Sequence, residues 1–171
     1  MNRFHAMMST SVALLILGLT LPPRDAFGQH QALKDRIVGT WTYVSVDVVG
    51  ADGSRVPMYG PNPSGVAMFD RNGRYMLLTA RRGQSKFASN NRLQGTPDEN
   101  KAVVHDNIAH FGRYTVDEAD GTITFHIETS TFPNWNGTEQ KRPFTLRGDE
   151  LRWVTPGSSG GTAEVVLKRA S

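Results

Sequence analysis

Alternating apolar and polar residues dominate the chain from about residue 39 onward. The alternating stretches are rich in Val, Ile, Thr and aromatic residues, and Gly-, Asn- and Asp-containing turns separate them, which is typical of short antiparallel strands. Asn72-Gly73 and Asp120-Gly121 are dipeptides that favour tight hairpins. The pattern predicts eight strands, near residues 39–49, 66–70, 74–80, 111–117, 122–130, 139–147, 151–155 and 162–169.

A single helix interrupts the predicted strands. Thr96, Pro97 and Glu99 supply a capping hydroxyl, a proline at the first helical position and an acid three residues after the cap. The helix is predicted from Pro97 to about Ile108, and the polar residues 81–95 before it form an irregular candidate flap. We therefore predict an all-β fold, an eight-stranded antiparallel up-and-down barrel with one short helix. Closure removes the sheet edges and leaves room for one small ligand.

The hairpin across Asp120-Gly121 can be given a register. A two-residue turn there pairs Ala119 with Thr122. Continuing along the strands, this register places Arg113 opposite Glu128. Because all the apolar side chains then fall on one face and an opposite-charge pair falls on the other, the register is self-consistent.

The same register assigns side chains to the two faces of the hairpin. Tyr114 and Phe125 lie on the apolar face, which would line the barrel. His126 and Glu128 lie two residues apart on the polar face. They resemble an acid–base pair, but a solvated surface position is the interpretation that the register favours over catalysis.

Arg142 is the most informative residue for function. It alternates with Phe144 and Leu146 and therefore belongs to the apolar face, where a charge is costly unless it is paired or hydrogen-bonded. One interpretation is an arginine that extends its head to solvent at the barrel rim. The other is a guanidinium that holds a carboxylate, enolate or phenolate in an apolar cavity.

Four further residues invite an interpretation. Trp41, at the start of the first strand, is predicted to plug one barrel end, stacked under an arginine such as Arg169. Trp135 lies in an aromatic loop between strands, where recognition residues are common. His105 and His110 are spaced by five, which does not place them on one helix face, so no metal site is predicted.

The first 28 residues have the organisation of a secretory signal. Arg3 precedes an apolar run of ten residues at 12–21, and Ala26 and Gly28 are small residues at the positions that a signal peptidase reads. A bilayer-spanning helix needs ~20 apolar residues, so the run is too short for an anchor. We predict a signal peptide at 1–28, a barrel domain at 29–171, and a periplasmic or secreted product.

Composition excludes several classes of function. Cysteine is absent, which rules out disulfides, thiolate nucleophiles and thiolate-held metals. The net charge is only +3 and no run of five Lys or Arg occurs, so a nucleic-acid partner is not predicted. No cofactor is predicted, and no integral membrane segment remains once the signal is removed.

Several segments of the chain resemble the bacterial and fungal lipocalin-like domain family, a group of small calycin-type β-barrels. They are Ile37-Val38-Gly39-Thr40-Trp41, Tyr59-Gly60-Pro61-Asn62-Pro63-Ser64-Gly65, Phe132-Pro133-Asn134-Trp135-Asn136-Gly137-Thr138-Glu139-Gln140 with Arg142, Gly148-Asp149-Glu150-Leu151 and Thr155-Pro156. The resemblance extends from about Leu33 to Arg169. It implies a small barrel with an internal pocket, but no single activity, because some fungal relatives look like pathway enzymes.

Two functions are consistent with this pattern. The first is an exported barrel that binds a small hydrophobic or aromatic, anionic molecule, anchored by Arg142; aromatic wall residues would be Tyr75, Tyr114, Phe125 and Trp135. The alternative is a lyase, isomerase or cyclase with an acid or base from Tyr114, His126 or Glu128 beside Arg142. Binding is favoured because no nucleophile–base pair or metal cluster is evident. A base within hydrogen-bond reach of the Arg142 head would favour chemistry.

Overall fold

A computed structural model describes residues 32–157 and 161–171; the predicted signal segment lies outside the described residues. The elements in chain order are α1 (Leu33–Ile37), β1 (Gly39–Val49), β2 (Arg55–Pro57), β3 (Ser64–Phe69), β4 (Arg74–Ala80), α2 (Pro97–Asp106), β5 (Asn107–Asp117), β6 (Thr122–Ser130), a 3-10 turn (Pro133–Trp135), β7 (Glu139–Arg147), β8 (Glu150–Pro156) and β9 (Thr162–Arg169).

Eight of these strands close into a barrel. Strands β3 to β9 pair antiparallel in chain order, β1 pairs with β3, and β1 also pairs with β9 to close the sheet. The predicted eight-stranded antiparallel barrel is therefore confirmed. The extra strand β2 and the short α1 are not predicted by the sequence. Strand β2 has three residues, all exposed, so it carries no apolar alternation that could reveal it.

Helix α2 begins as predicted and ends earlier. The Thr96 hydroxyl accepts the Glu99 backbone N–H at 3.2 Å, and the Glu99 carboxylate accepts the Thr96 N–H at 2.7 Å, which completes the capping box. The helix stops at Asp106 because Asn107 already pairs with Ala80 as the first residue of β5. Of the helices that the structure describes, none is long and apolar enough to cross a membrane.

The predicted register of the β5–β6 hairpin is wrong by two residues. Asp117 pairs with Thr122, so the turn comprises the four residues 118–121, and Arg113 faces His126 rather than Glu128. The wider turn forms because the Asp117 carboxylate accepts the backbone N–H groups of the two residues that follow Glu118, at 3.0 and 3.1 Å. A shift of two residues preserves the alternation of strand faces, so the predicted inside and outside assignments hold.

The α1 end of the barrel is closed around Trp41, as predicted. Trp41 is fully buried, its indole N–H donates to the carbonyl of Ile37 at 2.8 Å, and the Arg169 guanidinium lies 4.2 Å from its ring. Above this plug, inward-facing rings meet mostly edge to face and form an aromatic cluster, which comprises Phe69, Tyr75, Tyr114, Phe125 and Trp153. One member of the cluster, Trp153, also lines a cavity inside the barrel.

Candidate functional site

A cavity lies between the aromatic cluster and the loop that carries Trp135. The cavity is narrow: its interior volume is about 40 Å³, and the space between its walls is about 450 Å³ when the open mouth is included. Its walls are mostly apolar, with side chains such as Val46, Leu77, Ile108, Ala163 and Val165. The polar side chains on the walls are few: Tyr43, Tyr59, Thr79, His110, Arg142, Trp153 and Thr155.

Arg142 projects from β7 into this cavity and is only 3% exposed. Its Nη2 donates to Gln140 Oε1 at 2.7 Å and lies 3.3 Å from His110 Nε2. The guanidinium carbon sits 4.4 Å from the centre of the Phe125 ring. No Asp or Glu of residues 32–157 and 161–171 comes within 4.0 Å of it. The head is therefore inside the barrel and not in solvent at the rim.

Burial lowers the pKa of Arg142 to about 10, an effect that the nearby phenols of Tyr43 and Tyr75 oppose. The side chain is still protonated at neutral pH. The cavity therefore contains a full positive charge that two neutral side chains, Gln140 and His110, hydrogen-bond but do not neutralise.

His110 stands beside this guanidinium on β5 and is 4% exposed. Its Nδ1 lies 2.8 Å from the hydroxyl of Tyr75. Because Arg142 can only donate, His110 Nε2 must accept, so the proton of the neutral ring is on Nδ1 and is donated to the Tyr75 oxygen. Burial, and secondarily the charge of Arg142, lower the pKa of His110 to about 3. The imidazole is therefore a neutral acceptor at neutral pH.

The sequence does not reveal this role of His110. The sequence predicts a helix that extends to Ile108. This prediction places His110 just after the end of a helix and not at an inward-facing position of a strand. The signal that reveals it is the alternation of His110, Gly112 and Tyr114, all buried on β5. Among the described residues, no group of three or more side chains could hold a metal ion.

Two phenols that the sequence analysis did not select complete the polar part of the cavity. Burial raises the pKa of Tyr59 to about 12. Burial also raises the pKa of Tyr43, against the opposing effects of a hydrogen bond with Thr79 and of the Arg142 charge. Both hydroxyls are therefore neutral near pH 7 and can donate to a ligand.

The predicted wall residues occupy different positions. Arg142 and Trp135 line the cavity. Phe125 and Tyr75 do not line it but lie behind residues that do: Phe125 lies under the guanidinium, and the Tyr75 hydroxyl contacts His110. Tyr114 lies toward the closed end, where its hydroxyl donates to the Asp70 carbonyl at 2.7 Å, and it is not part of the cavity wall.

The groups considered for acid–base chemistry do not meet Arg142. The side chain of His126 is 38% exposed, and its Nδ1 lies 2.7 Å from a carboxylate oxygen of Glu139 on the outer face. Glu128 is also exposed and accepts from Arg74 at 3.0 Å. Only His110, among the histidines that the structure describes, provides a base within hydrogen-bond reach of the Arg142 head.

Two buried N–H donors of the cavity wall have no acceptor among the described residues. They are Arg142 Nε and the indole Nε1 of Trp153. Both side chains are at least nine-tenths buried, at 3% and 2% exposure. A buried donor without an acceptor costs ~1–3 kcal/mol.

The chain is similar to a small number of known proteins. The chain is 33% identical over 69 residues to the 4'-hydroxy-3'-methoxypropiophenone carrier protein of Aspergillus oryzae; the match covers 37% of this chain and 62% of that protein. The chain thus spans less than two thirds of the length of this curated relative.

Two solved structures are distant likenesses. A redesigned β-barrel has a TM-score of 0.41 and 16% identity over 81% of this chain and 95% of its own. An uncharacterized protein from Bacteroides eggerthii has a TM-score of 0.41 and 12% identity; the match covers 78% of this chain and 98% of that protein. The sequence profile of the lipocalin-like domain matches residues 38–168, which include nearly the whole barrel. The chain therefore belongs to the lipocalin-like domain family.

Proposed function

We propose that the protein binds a small apolar or aromatic molecule with an anionic group, and that Arg142 holds the anion. The observation that carries this proposal is a protonated guanidinium, 3% exposed, with no carboxylate among the described residues within 4.0 Å. A buried charge without a counter-charge is destabilising. An anionic ligand would supply the missing charge and regain part of that free energy on binding.

The walls favour an aromatic or otherwise apolar body for the ligand. Apolar side chains surround the few polar groups, which is the usual composition of a small-molecule site. The carrier protein of Aspergillus oryzae is named for an aromatic ketone, which supports the same ligand class. The narrow interior implies that side chains near the mouth, such as Trp135 and Met58, move when a ligand enters.

The predicted signal segment supports an exported carrier. Its positively charged start, short apolar run and small residues near position 28 are the basis for placing the mature protein in the periplasm or outside the cell. Intact-mass measurement of the protein from its own host should give a first residue within one or two positions of Gln29. Retention of Met1 would contradict export by cleavage.

The binding proposal is tested with trans-cinnamate as the probe and calorimetry as the readout. Arg142→Met keeps the apolar stem and removes the charge, so affinity should fall by ~2 kcal/mol, about thirtyfold, for loss of a charged hydrogen bond. Lys141→Met is the matched control because it removes a neighbouring charge that points outward. Equal affinity in both variants, or no cinnamate binding by the wild type, would contradict the proposal.

A second candidate function is acid–base catalysis, which the position of His110 Nε2 favours. It lies 3.3 Å from a guanidinium that would stabilise an enolate. Its lowered pKa makes it a weak base, however, and this is why binding remains the first proposal. Exchange of the α-protons of a propiophenone into deuterated water, catalysed by the wild type and not by His110→Gln, would establish chemistry.

A further inference from the structure

We propose that the indole N–H of Trp153 and the Nε–H of Arg142 form one subsite that holds a planar group with two oxygens, a carboxylate being the simplest. The inference rests on the proposed function and specifies the polar end of the ligand. Its basis is the pair of buried donors without acceptors, which belong to two different strands and to the same cavity.

The two side chains that carry these donors are neighbours in the cavity wall. The Arg142 guanidinium carbon lies 5.8 Å from the centre of the Trp153 ring system. An N–H donor reaches an acceptor at ~2.9 Å, so a group with two oxygens can bridge donors that are several ångströms apart. A group with two oxygens offers each of the two donors its own acceptor.

The surrounding side chains do not supply these acceptors. Gln140 Oε1 and His110 Nε2 both accept from Nη2 of Arg142, which leaves Nε for another group. Around Trp153, the rings of Phe69 and Phe125 lie at 6.4 and 5.9 Å between ring centres. Neither ring offers an oxygen or nitrogen acceptor.

Trp41 is a buried tryptophan whose indole N–H is hydrogen-bonded within the protein, and it can be compared with Trp153. Trp41 is also fully buried, but its N–H donates to the carbonyl of Ile37 at 2.8 Å. Trp153 is equally buried and faces the cavity without such a carbonyl. The fold thus satisfies the indole at the closed end and leaves the indole at the cavity for a ligand.

The first experiment observes the three indole N–H signals of the ¹⁵N-labelled protein by NMR while trans-cinnamate is added. We expect the Trp153 signal to move downfield as its N–H gains an acceptor, while the Trp41 signal stays unchanged as the internal reference. Trans-cinnamamide, which has the same shape but one acceptor oxygen and no charge, should move the Trp153 signal much less. An unmoved Trp153 signal at saturating cinnamate overturns the inference.

The second experiment measures affinity in two matched variants. Trp153→Phe keeps a ring and removes the N–H, and should lower cinnamate affinity about tenfold while leaving cinnamamide affinity unchanged. Trp135→Phe makes the same substitution elsewhere on the cavity wall and should change both affinities by the same factor. If Trp153→Phe does not fold, the NMR titration of the wild type decides alone.

The outcomes separate this inference from the proposal on which it rests. If cinnamate affinity does not depend on Arg142, the proposed function fails. If cinnamate binding depends on Arg142 while Trp153→Phe binds like the wild type, only the two-donor subsite fails, and an ordered water is then the acceptor for the indole.

Discussion

Each end of the barrel contains an arginine stacked on an aromatic ring, and the two arginines have different surroundings. At the closed end, Arg169 lies 4.2 Å from the Trp41 ring; at the cavity, Arg142 lies 4.4 Å from the Phe125 ring. Arg169 donates to the backbone carbonyls of Arg36 and Val38, and its Nε lies 3.4 Å from the Asp149 carboxylate. Arg142 has two neutral partners, both on Nη2, a buried Nε–H without an acceptor, and no carboxylate of the described residues within 4.0 Å.

The difference shows that stacking does not distinguish a structural arginine from a binding one. What distinguishes them is whether the fold supplies acceptors and a counter-charge. Arg169 joins α1 to the end of the chain through two backbone carbonyls and has a carboxylate as its counter-charge, so its role is to close the barrel. Arg142 is satisfied only in part, so its charge is available to a ligand.

The largest expected effect is a difference in the free energy of unfolding between variants of the two arginines. Arg169→Met removes the stack on Trp41, the bonds to α1 and the ion pair, and should lower the free energy of unfolding by ~4 kcal/mol. Arg142→Met removes a buried charge without a counter-charge and should change stability by less than ~1 kcal/mol. Urea unfolding of both variants measures the difference. Equal destabilisation would remove the distinction between the two ends.

A second expected effect concerns the acid sensitivity of the cavity. His110 has a pKa of about 3 in the folded protein against an ordinary value of 6.5, so below pH 6.5 the unfolded chain takes up a proton that the folded protein excludes. Its contribution to stability is therefore complete above pH 6.5 and is lost at ~1.4 kcal/mol per pH unit as the pH falls toward 3.

The measurement compares urea unfolding of the wild type and of His110→Gln, which cannot titrate but can still accept from Arg142. Between pH 6.5 and 4.5 the wild type should lose ~2 kcal/mol more than the variant. Parallel pH profiles would show that His110 is not a buried neutral base beside Arg142.

The smallest expected effect lies on the outer face of the barrel. His126 is part-exposed and pairs with Glu139 outside the cavity. His126→Ala should therefore leave the affinity for cinnamate nearly unchanged. A tenfold loss, worth ~1.4 kcal/mol, would place His126 in the binding site and contradict the inside–outside assignment.

The sequence predicts the barrel and its central arginine because both depend on a simple period. The alternation of Arg142 with Phe144 and Leu146 on β7 is enough to place the side chain on the inner face, but the position of the guanidinium inside the barrel and not at the rim comes from the structure. The predicted register at Asp120-Gly121 is wrong by two residues, but the period of two keeps every side chain on its predicted face.

The rest of the site depends on distances that no local pattern contains. His110 and Arg142 are 32 residues apart and meet only because β5 and β7 both border β6. The free indole of Trp153 is visible only once the acceptors of the neighbouring strands have been placed. Tyr114, selected for its position on the apolar face, lies too near the closed end to reach the cavity, because strand parity fixes the face but not the depth.

The central claim about this protein is that an anionic ligand neutralises the buried charge of Arg142. Calorimetry of trans-cinnamate and trans-cinnamamide with the wild type and Arg142→Met gives a four-membered thermodynamic cycle. The account predicts a coupling free energy of ~2 kcal/mol between the guanidinium and the carboxylate, with cinnamamide binding the two proteins equally. A coupling near zero would contradict it and would assign Arg142, like Arg169, to the structure of the barrel.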